Sequence, residues 1–208
     1  MNLGEPVGRK GVDMSNPWLD TTDVPVAASA PVQTGDEPDV LRGVGQPIPG
    51  IPPVDQADRL RVVEVPSLER VCVVGTHGGA GESTLAAWLG GRATERSWPS
   101  CPQGKPVVVL VARTTATGIE SARRAARQWA SGDVQVQLLG LVLIADAGGK
   151  LPTQIRHLIQ HLSGGLPRTW TVPWVPRLRL EPEPSPSVPT GPSARVVRSI
   201  QQLITEKG

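Results

Sequence analysis

Neither phenylalanine nor tyrosine occurs in this 208-residue chain, so tryptophan, present six times, is its only aromatic side chain. A core built from such a sequence has to be made of Val, Leu, Ile and Ala. Cysteine is scarce as well, with two in all, Cys72 and Cys101. They form no CxxC pair, which excludes a disulfide framework and a zinc knuckle. No apolar run approaches the roughly 18 residues that a membrane-crossing helix needs, and the first residues, MNLGEPVGRKGVDMS, contain no apolar signal region. The expectation is a cytoplasmic protein without a membrane span. Charge of one sign is lacking too. A net charge of +2 is too small to argue for nucleic-acid binding.

Proline (22) and glycine (23) are abundant, and the first third of the chain has neither a period of 2 nor one of 3.6. That composition does not bury enough apolar surface to offset chain entropy. Residues 1–67 are therefore expected to form a disordered Pro/Gly-rich tail, and residues 68–208 an α/β domain. Within the tail, Trp18 and Leu19 stand out among polar neighbours. They read either as a chance exposed pair or as a short motif docking on an unknown protein partner.

From residue 68 the pattern alternates. Strands are expected over 71–75, 107–112, 138–145 and 169–175. Helices are expected over 82–96, 118–131 and 153–163, and a last helix is capped by Ser193 after a Pro-rich linker at 181–192. Residues 97–105 read as a loop. Strand–helix alternation of this kind predicts a small parallel sheet flanked by helices. The strands are apolar enough to be buried on both faces.

The first strand runs into Gly75-Thr76-His77-Gly78-Gly79-Ala80-Gly81-Glu82-Ser83-Thr84, and a helix opens behind it. Glycines let several N–H groups converge, and a helix N-terminus adds positive dipole, so this is the local context of a phosphate-binding loop. The stretch resembles the deviant Walker A motif of the ParA/MinD family of P-loop ATPases, K-G-G-x-G-K-[ST]-[ST]. Gly78, Gly79 and Gly81 match its glycines. Ser83 and Thr84 match its hydroxyls, and Ala80 takes the free position. His77 and Glu82 replace its two lysines. Residues 107–143 resemble the later half of that fold, and Val172–Arg177 the loop that packs on adenine there.

The resemblance implies a P-loop NTPase-like fold, truncated between the first helix and the second strand. It implies ATP with Mg²⁺ as the group held by residues 77–84, with Ser83 on the metal. It also implies a place in partition, transfer or secretion-type machinery. The departures from the motif imply a pseudoenzyme. No Walker B acid follows the first helix, because Ala112-Arg113 ends the second strand, and Ile144 stands where the family's adenine-reading Asn would be. Asp146, in Asp146-Ala147-Gly148-Gly149, is either a substitute metal ligand or an ordinary turn residue. A unit charge at about 4 Å is worth ~4 kcal/mol at an effective dielectric near 20. A glutamate at position 82 is then expected to repel phosphate, or to fold back into the anion site itself, and Glu82→Lys is expected to raise affinity for a triphosphate.

Other readings are a weak nucleotide binder, a scaffold needing no nucleotide, and a nucleic-acid-associated protein. The last would use Arg177, Arg179, Arg195 and Arg198 as a weak basic patch, the alternative being a solvated face. His157 and His161 share a helix face at a spacing that zinc uses, but no further ligand accompanies them.

Overall fold

The computed structural model describes residues 40–180, 183–188 and 190–207. The expectation for Trp18 and Leu19 lies outside the described residues. In chain order the strands and helices are β1 (Val40–Arg42), β2 (Arg61–Glu64), β3 (Cys72–Gly75), α1 (Glu82–Leu89), β4 (Arg92–Ala93), β5 (Ser97–Ser100), β6 (Val107–Arg113), α2 (Ala116–Ala130), β7 (Gln137–Ile144), α3 (Thr153–Gly164), β8 (Arg168–Val172) and α4 (Pro192–Lys207). Single 3-10 turns lie at Gln56–Asp58 and Pro176–Arg179.

Six strands form one sheet in the order β1-β8-β7-β6-β3-β4. The four expected strands, β3, β6, β7 and β8, are parallel neighbours. The β-branched run of β6 explains its central place: Val108, Leu110 and Ala112 enter one core, while Val109 and Val111 enter the other. On the first side lie α2 and α3, through Ile119, Ala122, Trp129, Ile159 and Leu162. On the second lie α1 and α4, through Leu85, Leu89, Val197 and Ile200. Helical spacing of these residues accounts for their facing inward.

Several boundaries differ from expectation. α1 stops at Leu89 rather than at residue 96. Gly90 ends it in the left-handed conformation (φ 63°), and a side chain at Gly91 would sit 2.5 Å from the Val71 carbonyl oxygen. The chain therefore turns at once into β4. Residues 97–100 are not loop but strand β5, paired in parallel with β2 in a separate two-stranded ribbon. β8 ends at Val172, just before Pro173, so Trp174 lies beyond the sheet. α4 opens at Pro192, which puts Ser193 inside its first turn instead of at its cap.

The largest correction concerns the expected tail. From Val40 onward the chain belongs to the fold. β1 pairs antiparallel with β8, Val40 opposite Trp170. Val54 and Val65 are buried, at 6% and 2% exposure, and Leu41, Ile51 and Leu60 pack on the cluster containing Trp98 and Trp129. The polar face of α2 binds the same segment. Arg124 pairs with Asp58 at 2.7 Å, and Arg127 Nε donates to the Pro52 carbonyl at 3.0 Å. Gln128 holds Leu60 by both of its backbone groups. These apolar residues are too widely spaced to make a periodic pattern, yet each finds a place on a surface built by later parts of the chain.

No described helix is long and apolar enough to cross a membrane. Both cysteines are free thiols. Cys72 lies wholly buried in β3, and burial pushes its thiol up to about 11. Alkylation at pH 8 should therefore label Cys101 alone in the native protein, as mass spectrometry of the labelled peptides would show. An unfolded thiol releases its proton near pH 9 while the folded one keeps it, so the thiol's contribution to stability is complete below about pH 9 and is lost as pH rises towards 11.

Candidate functional site

The glycine loop connects β3 to α1. Its first residue is tied to the sheet, since the Thr76 N–H donates to the Val111 carbonyl at 3.0 Å. The loop then turns on itself through Ala80 N–H to His77 C=O, with left-handed backbone at Gly79 (φ 72°) and Gly81 (φ 96°). Only glycine takes such angles without strain. The first backbone bond of the helix is Leu85 N–H to Gly81 C=O, at 2.9 Å. Among the described residues, no carbonyl accepts from the N–H groups of Gly81, Glu82, Ser83 or Thr84. These are the donors that the start of any helix leaves over, and anions bind to them. Residues 77–84 line an open pocket of about 520 Å³, together with Glu95, Arg96 and Arg113.

The strand before this loop, the helix behind it, and α2 and α3 on the other face lie within residues 69–197, which match the model of a family described as a family of unknown function, DUF6668. The chain belongs to that family. No curated protein and no solved structure matches it. The DUF6668 match begins just ahead of β3 and ends inside α4, so it contains every residue that lines the loop pocket and leaves out β1 and β2.

In this DUF6668 chain the two positions expected to touch phosphate are engaged elsewhere. The backbone N–H of Arg113 donates to Nε2 of His77 at 3.1 Å. Nε2 must then carry a lone pair, so the proton sits on Nδ1 and is donated to the Gly78 carbonyl at 2.9 Å. The ring is neutral in this arrangement and turned against the end of β6 and the Gly118 backbone of α2. It presents no cation to the pocket.

Glu82 departs further from expectation. Its carboxylate does not fold into the anion site. It accepts from the backbone N–H of Thr94 at 2.9 Å and from that of Arg96 at 3.2 Å. These amides belong to the turn between β4 and β5, where Glu95 (φ 54°) and Arg96 (φ 60°) are both left-handed. Side-chain-bearing residues pay about 1–2 kcal/mol each for that conformation. The physical reason for the correction is that two aligned amides within reach are better partners for a carboxylate than its own helix start.

Two arginines that the sequence did not single out line the pocket. Arg113, at the end of β6, reaches back with Nε to the Gly79 carbonyl at 3.1 Å and with Nη1 to the Ala145 carbonyl at 3.3 Å. Arg96 is exposed, and among the described residues its guanidinium forms no hydrogen bond or ion pair. The only signal for Arg113 was its position at the carboxyl end of a central parallel strand, where ligands gather in open α/β sheets.

Asp146 is not brought to the loop pocket. It lies after β7, its N–H donates to Thr114 Oγ1 at 3.1 Å, and its carbonyl faces Arg179. Ser83 and Asp146 thus do not form the expected metal pair, and no cluster of three or more His, Cys, Asp or Glu exists among the described residues. The loop's donors suit the phosphates of a nucleotide. Its oxygen ligands do not suit Mg²⁺, because the Glu82 carboxylate is engaged and only Ser83, Thr84 and the rim carboxylate of Glu95 remain. Trp174 stacks under Arg179, whose guanidinium carbon is 4.6 Å from the ring centre, and it lies close against Gly148. Ile144 packs on Gly81. His157 and His161 are exposed on α3.

Proposed function

We propose that this chain is a ParA/MinD-like P-loop module that has given up hydrolysis, holds the phosphates of a nucleotide weakly, and acts through a protein partner in partition, transfer or secretion-type machinery. The observation that carries this is the row of unaccepted N–H groups at Gly81–Thr84, placed behind a parallel strand and facing a pocket lined by two arginines. Backbone donors of this kind recognise phosphate without any lysine. Against hydrolysis stand Ala112-Arg113 at the end of β6, where the resemblance would place an acid, and the absence of Asp146 from the pocket lining. Phosphoryl transfer depends on positive charge and on a carboxylate that orients the nucleophile or the metal, and the lysines of the motif are replaced here by His77 and Glu82.

The nucleic-acid alternative has less support. Arg177 donates to the Ser187 carbonyl at 2.9 Å and Arg179 covers Trp174, so half of the supposed basic patch has other partners.

Calorimetric titration of the full chain with ATP and GTP is the test, run once with Mg²⁺ and once with EDTA. Dissociation constants in the range of about 0.1–1 mM are expected, little changed by the metal, together with no release of inorganic phosphate above background. Sustained turnover would overturn the loss of hydrolysis. No heat at several times that concentration would overturn the binding.

A further inference from the structure

We propose that Glu82 is a positioning residue rather than a block to phosphate, and that Arg96 is the cation the loop pocket offers its ligand. The inference rests on the phosphate-loop function proposed above and concerns the same pocket. One carboxylate, on the first residue of α1, accepts from the amides of Thr94 and Arg96, twelve and fourteen positions along the chain. Those amides bracket Glu95, and both Glu95 and Arg96 have left-handed backbone. Two such residues in a row relax to other angles unless neighbouring groups hold them. The backbone bonds from Thr94 N–H to Val73 C=O and from Ser97 N–H to Thr94 C=O fix the two ends of the turn, and Glu82 is the side chain that holds the Arg96 amide between them. Thr94 Oγ1 adds a second tie, donating to the Ser97 carbonyl at 2.6 Å. The turn so fixed contributes Glu95 and Arg96 to the lining of the same pocket as the loop.

The turn brings one cation and one anion. Arg96 has a guanidinium with no hydrogen bond or ion pair among the described residues, whereas that of Arg113 already serves the carbonyls of Gly79 and Ala145. Arg96 is thus the donor left over for a ligand. Its planar fork suits phosphate oxygens. Glu95 lines the same wall and opposes a negative ligand. The ligand chemistry that fits is a multiply charged phosphate chain, held by backbone N–H groups and a guanidinium that line one pocket. Inorganic triphosphate and a nucleoside triphosphate share that chemistry.

The two accounts of Glu82 predict opposite signs, so the full chain and four variants decide between them by titration with inorganic triphosphate and with ATP. If Glu82 merely repels phosphate, Glu82→Ala strengthens binding. If it positions the turn, Glu82→Ala, which removes the accepting oxygen together with the charge, weakens binding about 10-fold. Arg96→Ala is expected to cost about 10-fold or more, with Arg96→Lys regaining part of it, and Glu95→Gln is expected to bind more tightly. ATP bound no better than triphosphate supports recognition of the phosphate chain alone. ATP bound better supports the same site with an added nucleoside contact. Amide hydrogen exchange without ligand provides the second measurement: Glu82→Ala should speed exchange at Arg96 by about 100-fold, and less at Thr94, whose N–H also donates to the Val73 carbonyl at 3.2 Å. Tighter binding by Glu82→Ala, or unchanged exchange at Arg96, overturns the positioning role. Unchanged binding by Arg96→Ala overturns the assignment of the cation while leaving the loop function standing. Failure of the wild-type chain to bind either anion overturns the loop function and Arg96's role together, and the exchange rates then decide the role of Glu82 alone.

Discussion

A chain that begins at Leu68 should lose its cooperative thermal transition, or melt at least about 10 °C below the full-length protein. Composition alone suggested that residues 1–67 could be removed without harm. The structure places Val54 and Val65 in buried sites and lays Leu41, Ile51 and Leu60 over the α2-side core. Burying one such side chain fully is worth about 1.5–3 kcal/mol. Removing the segment also removes the entropy cost of ordering it, which lessens the loss. The surfaces it covers, however, belong to the part that remains. Water would reach the faces of Trp98 and Trp129, and the Gln128 amide would lose both groups of Leu60. Against a total stability of roughly 5–15 kcal/mol, a net loss of about 3 kcal/mol is enough to produce the stated shift. Circular dichroism melts of the two chains measure it. A difference below about 3 °C would mean that the 40–65 segment lies on the surface without stabilising it.

Replacing Gln128 by leucine should destabilise the protein by about 3 kcal/mol, although leucine is of similar size and more apolar. Gln128 is 3% exposed, on the inner side of α2. Its Oε1 accepts from Trp98 Nε1–H and from the Leu60 N–H, both at 3.0 Å, and its Nε2 donates to the Leu60 carbonyl at 3.1 Å. One amide thus serves three polar groups, and the buried Trp98 ring has no other acceptor among the described residues. Each group left unsatisfied costs about 1–3 kcal/mol, less where water can reach the backbone of Leu60. Urea denaturation should show a lower midpoint with an unchanged slope. Gln128→Glu sharpens the test. A charged carboxylate can accept from both N–H groups but faces the Leu60 carbonyl, whereas the protonated acid can reproduce all three bonds. Burial raises the folded pKa of such a group, so the variant should approach wild-type stability below about pH 4 and lose it as pH rises. A loss below about 1 kcal/mol for Gln128→Leu would mean that water substitutes for the amide.

The same residue shows where the sequence stops being legible. Positions 107–112 are continuous, apolar and rich in valine, and no partner is needed to read them as a central strand. The stripe Ile119, Ala122, Ala126, Trp129 reads as a helix for a similar local reason. Gln128 sits in that helix as one polar residue among others, and its function depends on a backbone 68 positions away. Leu60 and Val54 have no periodic neighbours, so their burial is decided wholly by surfaces elsewhere. The candidate site divides in the same way. Glycine spacing at 78–81 is local, and it located the loop. The directions of His77 and Glu82 are set by Arg113 and by the 94–96 turn, so residue type alone suggested contacts that the fold does not make. A left-handed Glu95-Arg96 pair cannot be read from residues that seldom adopt that conformation.

Among the described residues, the main sheet ends in very short strands on both sides, three residues in β1 and two in β4. β1 also runs against the direction of the four long strands and covers the rim of β8. An extended peptide approaching either rim finds only a few amide groups to bond to, too few to extend the ladder. The long apolar strands at the centre, which would stack readily if exposed, are thereby kept from joining those of another molecule, and the sheet cannot act as a template for fibre growth.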